Sequence, residues 1–161
     1  MRVGIVGLGL MGGSFALDLK SVCSSSKIYG HDNSIKNSEK ALKIGFIDEI
    51  IDLSKLREMD VVVVAVPVDV SLNLVWKILD LIRDDSIVFD VGSTKSPICS
   101  FLKNHPKRKN FLACHPMAGT EFSGPEAATT GLYLNKTNIT LFLFLPKSLP
   151  FGPYKTVSLT M

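Results

Sequence analysis

The sequence has only three cysteines in 161 residues, Cys23, Cys99 and Cys114, and they form no CxxC pair. An odd, scattered set of thiols argues against a disulfide framework and against a cysteine-based metal site. We therefore expect reduced thiols, no bound metal and a cytoplasmic protein. Such cross-links are also not needed, because a chain of this length buries roughly 70% of its unfolded surface and can be stabilised by a hydrophobic core.

A strong charge of one sign and a long apolar run are missing as well. The 18 Lys and Arg residues and the 15 Asp and Glu residues leave a net charge of +3, too small to predict binding to nucleic acid or to an anionic membrane. No apolar run reaches the roughly 18 residues of a membrane-spanning helix. The apolar N-terminal stretch is too rich in glycine for a signal peptide, so we assign it to the fold. Four basic residues surround His105, and they predict a solvated loop. They are Lys103, Lys107, Arg108 and Lys109.

The residues that are present predict one α/β domain. Hydrophobic residues make up 46% and charged residues 20% of the chain, which is typical of globular proteins. Short apolar segments typical of buried parallel strands alternate with segments of helical periodicity. The predicted strands are 2–6, 27–31, 61–66, 86–91 and 111–114, and the predicted helices are 14–20, 34–44, 68–83 and 96–102. This order predicts a Rossmann-like, doubly wound, mostly parallel sheet with helices on both faces, in which ligands bind at the carboxyl ends of the strands.

A glycine motif follows the first predicted strand directly. In Gly7-Leu8-Gly9-Leu10-Met11-Gly12, the first glycine permits a tight turn, the second leaves room for a diphosphate, and the third lets the helix pack closely on the strand. Asp32 lies 20 residues after Gly12, at the end of the second predicted strand. A carboxylate there accepts hydrogen bonds from ribose hydroxyls and repels a 2′-phosphate, so the motif predicts NAD in preference to NADP. The alternative is a glycine-rich turn that binds nothing.

Two side chains at the ends of later predicted strands are candidates for catalysis. His115 carries an imidazole, the side chain that gives and takes protons near neutral pH; the alternative is a strand-end histidine bonded to a backbone carbonyl. Ser93 either orients that imidazole or a substrate hydroxyl, or it caps the helix that follows. The residues alone leave both pairs of alternatives open.

Neighbouring residues give weaker signals. Lys95 either contacts a phosphate or is solvated, and Glu121, taken alone, is a surface acid in a glycine-rich loop. Cys114 adjoins His115, but adjacent residues on a strand point to opposite faces, so we do not expect a Cys–His nucleophile pair.

Three segments together resemble the nucleotide-binding half of prephenate dehydrogenases. They are 3–13, the GSTK sequence at 92–95, and the HPMAGTE sequence at 115–121 followed by SGP at 123–125. The last of these is far more specific than the glycine motif. The resemblance covers residues 1 to about 139, the first of the family's two domains. It implies an NAD-dependent oxidative decarboxylation of prephenate to 4-hydroxyphenylpyruvate, in tyrosine biosynthesis, by an enzyme that is a homodimer when complete.

The resemblance also implies roles for individual residues. His115 would bond the ring hydroxyl of the substrate and take its proton, with Ser93 assisting. The implied substrate-binding residues are Ser93, His115, Thr120 and Glu121. The implied cofactor-binding residues are Gly7, Leu8, Gly9, Leu10, Met11, Gly12, Asp32, Val66, Pro67 and Ser93.

The resemblance stops after Asn138-Ile139. We therefore predict an NAD-binding domain over 1–145 and an irregular tail over 146–161, where three prolines argue against a helix, although 141–145 is suited to a strand. A shifted reading frame or an early stop near residue 140 is one explanation of this change of character. Two other functions stay open, an arogenate dehydrogenase and a non-catalytic NAD-binding remnant.

Overall fold

The structure, a computed structural model, describes residues 1–142 and 156–160 and forms one sheet of eight strands. The strands are β1 (Arg2–Val6), β2 (Lys27–His31), β3 (Glu49–Ile50), β4 (Val61–Val64), β5 (Ile87–Asp90), β6 (Phe111–Pro116), β7 (Asn138–Phe142) and β8 (Thr156–Thr160). The helices are α1 (Leu10–Val22), α2 (Ile35–Ile44), α3 (Val68–Leu81) and α4 (Ser96–Phe101). The strand order is β3-β2-β1-β4-β5-β6-β7-β8. Strands β1 to β6 are parallel, β7 is antiparallel to β6, and β8 is parallel to β7.

Helices cover both faces of the sheet, which confirms the predicted doubly wound α/β fold. Side chains of α1 and α2, including Ala16 and Ala41, pack with Val3 and Ile5 on one face. Side chains of α3 and α4, including Ile78 and Ile98, pack on the other face with strand residues Val62, Val64 and Val88. Burial on both faces explains why β1 and β4 are continuous apolar runs.

The ends of α2 follow the sequence rules, whereas those of α1 do not. The Ser34 hydroxyl accepts a hydrogen bond from the N–H of Asn37 at 3.3 Å, and Gly45 ends α2 with a φ of 90°. Helix α1 begins at Leu10 and not at residue 14, and its first turns include Gly12, which packs against Ile5 of β1, and Gly13, which packs against Phe46. The short strand β3 and the 3₁₀ turn at Leu53–Glu58 were not predicted, since neither is long enough to show a period.

The basic loop around His105 is only partly solvated, so that prediction was wrong for two residues. Arg108 is buried and donates from Nη1 to the carbonyl of Phe111 at 2.9 Å. The His105 ring is buried against Trp76, with 4.5 Å between the ring centroids. Apolar stems and ring faces let these residues complete the core beneath α3, while Lys103 and Lys109 stay exposed.

The chain beyond residue 137 adds two strands to the sheet. Strand β7 includes two residues of the segment that we considered suited to a strand, and 143–145 lie outside the described residues. Within the tail predicted to be irregular, Thr156–Thr160 forms β8, while 146–155 and 161 lie outside the described residues. The division into a domain and a tail stays a prediction. In the part of the chain that the structure describes, no helix has the length and apolar character needed to cross a membrane.

Candidate active site

Two glycines of the motif are required by close contacts at the end of β1. Gly7 has a φ of +94°, and a Cβ there would lie 2.3 Å from the carbonyl oxygen of Ala65. A Cβ on Gly12 would lie 2.0 Å from the carbonyl oxygen of Gly7. These contacts confirm the tight turn and the close helix–strand packing expected from the sequence.

The space above Gly9 is open. A Cβ on Gly9 would meet only the backbone nitrogen of Gly124, at 4.0 Å. Gly9 is the N-cap residue of α1, no side chain caps this end, and no acidic residue lies in the first turn. The first amides of a helix lack partners within the helix and attract anions. The loop therefore fits the diphosphate of a dinucleotide.

Asp32 joins the glycine loop to the end of β2. Its carboxylate accepts hydrogen bonds from the N–H of Leu8 and the N–H of Ser34, both at 2.9 Å, and from Nδ2 of Asn37 at 3.3 Å. A carboxylate offers about four acceptor positions, so room for a ribose hydroxyl remains. The ribose contact itself stays a prediction, but the structure adds a role that the sequence did not indicate, which is to hold the glycine loop.

Val66 and Pro67 lie beside the glycine loop, where the strand order reverses between β1 and β4. Cγ1 of Val66 would lie 3.1 Å from a Cβ on Gly7, and Pro67 is the N-cap residue of α3. In a doubly wound sheet the crevice at this reversal is the usual ligand site. Both residues border this crevice, and their contact with a bound dinucleotide stays a prediction.

The imidazole of His115 and the hydroxyl of Ser93 are both accessible at the same end of the sheet. His115 lies near the end of β6 and is half-buried, and Ser93 is exposed in the loop after β5. Neither side chain forms a hydrogen bond to any residue that the structure describes, so His115 is not bonded to a backbone carbonyl there. Helix α4 is not capped by Ser93, because its N-cap residue is Lys95 and no side chain caps it. Both groups are thus available to a ligand, and their catalytic roles stay predictions.

Cys114 faces away from His115, as expected. Its Sγ lies 3.8 Å from Oγ1 of Thr140, among the buried residues on the α1 and α2 face. Burial raises the pKa of Cys114 to about 11, so the group is a thiol near neutral pH. A Cys–His nucleophile pair is therefore absent here.

Thr120 and Glu121 are exposed in the loop between β6 and residue 125. Oγ1 of Thr120 accepts a hydrogen bond from the N–H of Phe122 at 3.2 Å. This loop leads back to the glycine motif, because Gly124 faces Gly9. The two residues thus lie in a loop that borders the crevice, and their contacts to substrate stay predictions.

The segment that follows this loop, residues 125–133, is fastened to α1. The N–H of Thr129 donates to the Ser14 hydroxyl at 2.9 Å, and the Tyr133 hydroxyl donates to the carbonyl of Met11 at 2.7 Å. Sequence reasoning missed this anchor, since its polar partners are more than 100 residues apart. It connects the HPMAGTE loop directly to the helix that begins at the glycine motif.

Lys95 is only 8% exposed, so the alternative of a solvated lysine was wrong, and contact with a phosphate stays a prediction. Its ammonium forms an ion pair with the carboxylate of Asp90, and both side chains are buried. The neighbouring glycine, Gly92, leaves room for the pair, which is why a four-carbon side chain folds back under the loop. Asp90 was not predicted as a site residue, because a lone acid at a strand end gives no signal of its partner.

No cluster of three or more His, Cys, Asp or Glu side chains suited to a metal ion occurs within residues 1–142 and 156–160. The open glycine loop at the strand reversal and the polar strand ends beside it define a dinucleotide-binding domain of the dehydrogenase type. Residues 15–141 match the family model described as the nucleotide-binding domain of prephenate dehydrogenase. The chain belongs to the prephenate dehydrogenase family.

Individual relatives agree with this assignment. The prephenate dehydrogenase of Bacillus subtilis is 36% identical over 135 residues, which are 81% of this chain and 36% of that protein. The crystal structure of prephenate dehydrogenase from Aquifex aeolicus in complex with hydroxyphenyl propionate and NAD⁺ is 31% identical, with a TM-score of 0.83, and the match covers 100% of this chain and 59% of that one. The Synechocystis arogenate dehydrogenase structure is 30% identical, with a TM-score of 0.80, over 88% of this chain and 50% of that one.

The chain thus spans between about a third and three-fifths of the length of the relatives it matches. The family match and the fit of the glycine loop support NAD as the cofactor of this domain.

Proposed function

We propose that this domain is the cofactor-binding and proton-transferring part of an NAD-dependent prephenate dehydrogenase. The reaction converts prephenate to 4-hydroxyphenylpyruvate and carbon dioxide in tyrosine biosynthesis. The observation that carries the proposal is the position of His115, whose free imidazole lies near the carboxyl end of β6, at the same end of the sheet as the open glycine loop. The specific HPMAGTE sequence begins at this residue.

His115 acts on the ring hydroxyl of the substrate. Its neutral imidazole accepts the hydroxyl proton, which makes loss of hydride from the same carbon easier. NAD, when bound, accepts that hydride at its nicotinamide ring. Loss of carbon dioxide then makes the ring aromatic, and His115 returns the proton to the phenol oxygen, because the reaction releases no net proton.

The other candidate residues hold the reactants. The Ser93 hydroxyl orients the imidazole or the substrate hydroxyl, and the loop with Thr120 and Glu121 borders the substrate entrance. The amides at the start of α1 bind the diphosphate, and Asp32 accepts a bond from the adenosine ribose. Val66 and Pro67 contact the cofactor across the crevice.

A direct assay tests the proposal. The chain is mixed with NAD and prephenate, and NADH formation is followed by absorbance, while NADH binding is measured separately by fluorescence. NADH formation that depends on prephenate supports the proposal. NADH binding without any turnover contradicts activity in this chain and supports a non-catalytic NAD-binding remnant.

Arogenate is the second candidate substrate, favoured by the 30% identity to the Synechocystis arogenate dehydrogenase. Arogenate carries an amine where prephenate carries a ketone, so the two substrates differ at the side chain and share the reacting ring. Parallel assays with each compound distinguish the two substrates. If kcat/KM is higher for arogenate than for prephenate, arogenate becomes the proposed substrate. A homodimer of the complete protein, a cytoplasmic location and an aberrant reading frame near residue 140 stay predictions.

A further inference from the structure

The buried carboxylate of Asp90 accepts hydrogen bonds from two backbone N–H groups, and each of these belongs to the residue directly before a candidate catalytic residue. Oδ2 of Asp90 accepts a hydrogen bond from the N–H of Gly92 at 3.2 Å, and Oδ1 accepts one from the N–H of Cys114 at 3.3 Å. Gly92 precedes Ser93, and Cys114 precedes His115. Asp90 therefore joins the loop after β5 to the end of β6 at the point where both side chains emerge.

The Asp90 side chain is enclosed, and the Lys95 ammonium is its ion-pair partner. Asp90 is 2% exposed and Lys95 is 8% exposed. Of the ion pairs between residues that the structure describes, this is the one in which both side chains are buried. Burial raises the pKa of Asp90, and the ammonium of Lys95 together with the two backbone N–H groups opposes that rise.

Stability alone does not explain such a pair. Burying two charges is costly, and neutral residues of similar volume are often as stable or more stable. A neutral amide, however, has one acceptor oxygen, whereas a carboxylate has two that point in different directions. Only the carboxylate can accept from Gly92, Cys114 and Lys95 at the same time.

The sheet places Asp90 on the same face as His115. Asp90 is the register partner of Ala113, and His115 follows Ala113 by two residues, so the side chains of Asp90 and His115 leave the same face. The loop also fits closely around the pair, because a Cβ on Gly92 would lie 3.1 Å from Oδ2 of Asp90 and 3.6 Å from Nζ of Lys95.

We propose that the Asp90–Lys95 pair is a positioning device that sets the Ser93 hydroxyl relative to the His115 imidazole. The proposal rests on the function proposed above, since it concerns residues that prepare that proton transfer. Asp90 and Lys95 act through the backbone of Gly92 and Cys114 and are positioning residues.

The test variant is the double substitution Asp90→Asn and Lys95→Met, which removes both charges and keeps the volume. Because asparagine has one acceptor oxygen, either Gly92 or Cys114 loses its partner. The control is Asp60→Asn with Arg83→Met, a more exposed ion pair of 2.9 Å. Asp60 precedes β4 and Arg83 precedes β5, so this pair lies at the amino ends of the strands, opposite the candidate site.

The first readout needs no turnover and uses the 161-residue chain. NMR measures hydrogen exchange at the amides of Gly92 and Cys114 and the ring resonances of His115. We expect about tenfold faster exchange at one of the two amides and shifted His115 ring signals, with the thermal midpoint unchanged within a few degrees. The control variant leaves these signals in place. Unchanged amides and unchanged ring signals in the test variant would overturn the proposal.

The second readout is the assay with NAD and prephenate. We expect kcat to fall by about 10- to 100-fold, because small displacements of catalytic groups have effects of this size, with KM and NADH affinity within about twofold. An unchanged kcat overturns the proposal. Absence of turnover in the unsubstituted chain counts against the proposed function instead, and the NMR readout then decides the positioning role.

If the double variant fails to fold, Gly92→Ala takes its place. It keeps both charges and adds a methyl group against the pair. The same fall in kcat with unchanged NADH affinity is expected, and an unchanged kcat in that variant likewise overturns the proposal.

Discussion

The two sides of the crevice are built by different physical means. The cofactor side (residues 7–12, 32 and 66) is shaped by missing side chains, since Gly7 and Gly12 allow backbone contacts that any Cβ would prevent. The side that is catalytic in the proposed function, called the catalytic side (residues 90–95 and 115), is organised by a buried ion pair, with Asp90 accepting hydrogen bonds from two backbone segments. The shape of the cofactor side thus depends on steric constraints, and that of the catalytic side depends on electrostatic interactions.

The difference matches what each side has to do. A diphosphate needs open space and a set of aligned amides, and both follow from backbone geometry. The proposed proton transfer needs two side chains at a set distance and angle, and in our proposal the Asp90 carboxylate, which accepts hydrogen bonds from both segments, provides this. Substitutions on one side should therefore change binding, and those on the other should change turnover.

The largest effect is expected on the catalytic side, from His115→Asn. Loss of a general base typically lowers kcat by about 10²–10⁴-fold. NADH affinity should stay nearly intact, because no contact of the glycine loop involves this side chain. The measurements are steady-state turnover with prephenate and NADH binding by fluorescence.

His105→Asn is the control for this substitution, since it removes a buried imidazole that packs on Trp76 and not at the crevice. It should lower thermal stability and leave kcat in place. Equal turnover in His115→Asn and in the unsubstituted chain would remove His115 from the mechanism.

The second largest effect is expected on the cofactor side, from a pair of glycine substitutions. A methyl group on Gly9 enters open space, so Gly9→Ala should fold with normal stability and weaken NADH binding by about tenfold or more if the diphosphate lies there. A methyl group on Gly12 would overlap the carbonyl of Gly7, so Gly12→Ala should lose about 1–3 kcal/mol of unfolding free energy.

Urea unfolding and NADH titration of both variants measure these quantities. The informative result is a loss of NADH affinity in Gly9→Ala with no loss of unfolding free energy. Normal NADH affinity in that variant would contradict a diphosphate above Gly9 and would weaken the contrast between the two sides.

The same contrast explains how much of the molecule could be predicted from the sequence. The glycine loop, the alternation of strands with helices and the cap at Ser34 follow local rules, so spacing along the chain was sufficient for them. Lys95 was misassigned because its partner is buried by the fold, and local sequence does not indicate whether a lysine finds a carboxylate. The anchor between Tyr133 and Met11 was missed for the same reason, since it depends on a contact across 122 residues.

The smallest effect is expected from Asp48→Asn, at a carboxylate whose pKa shift is opposite to that of Asp90. Burial raises the pKa of Asp90. At Asp48, which lies before the start of β3 and away from the crevice, partial burial is outweighed by the N–H of Ile28 and the ammonium of Lys20, so the pKa of Asp48 falls below 3.8. A carboxyl group with a lowered folded-state pKa stabilises the protein above its unfolded pKa, and this contribution is lost as the pH falls through the folded pKa. Asp48→Asn should therefore lower the unfolding free energy by about 1 kcal/mol at pH 6.5, and the difference should shrink towards zero below pH 3.8. Urea midpoints across this pH range measure the difference, with the exposed Asp85→Asn as a control near zero; a constant difference at all pH values would show that Asp48 acts through packing and not through its charge.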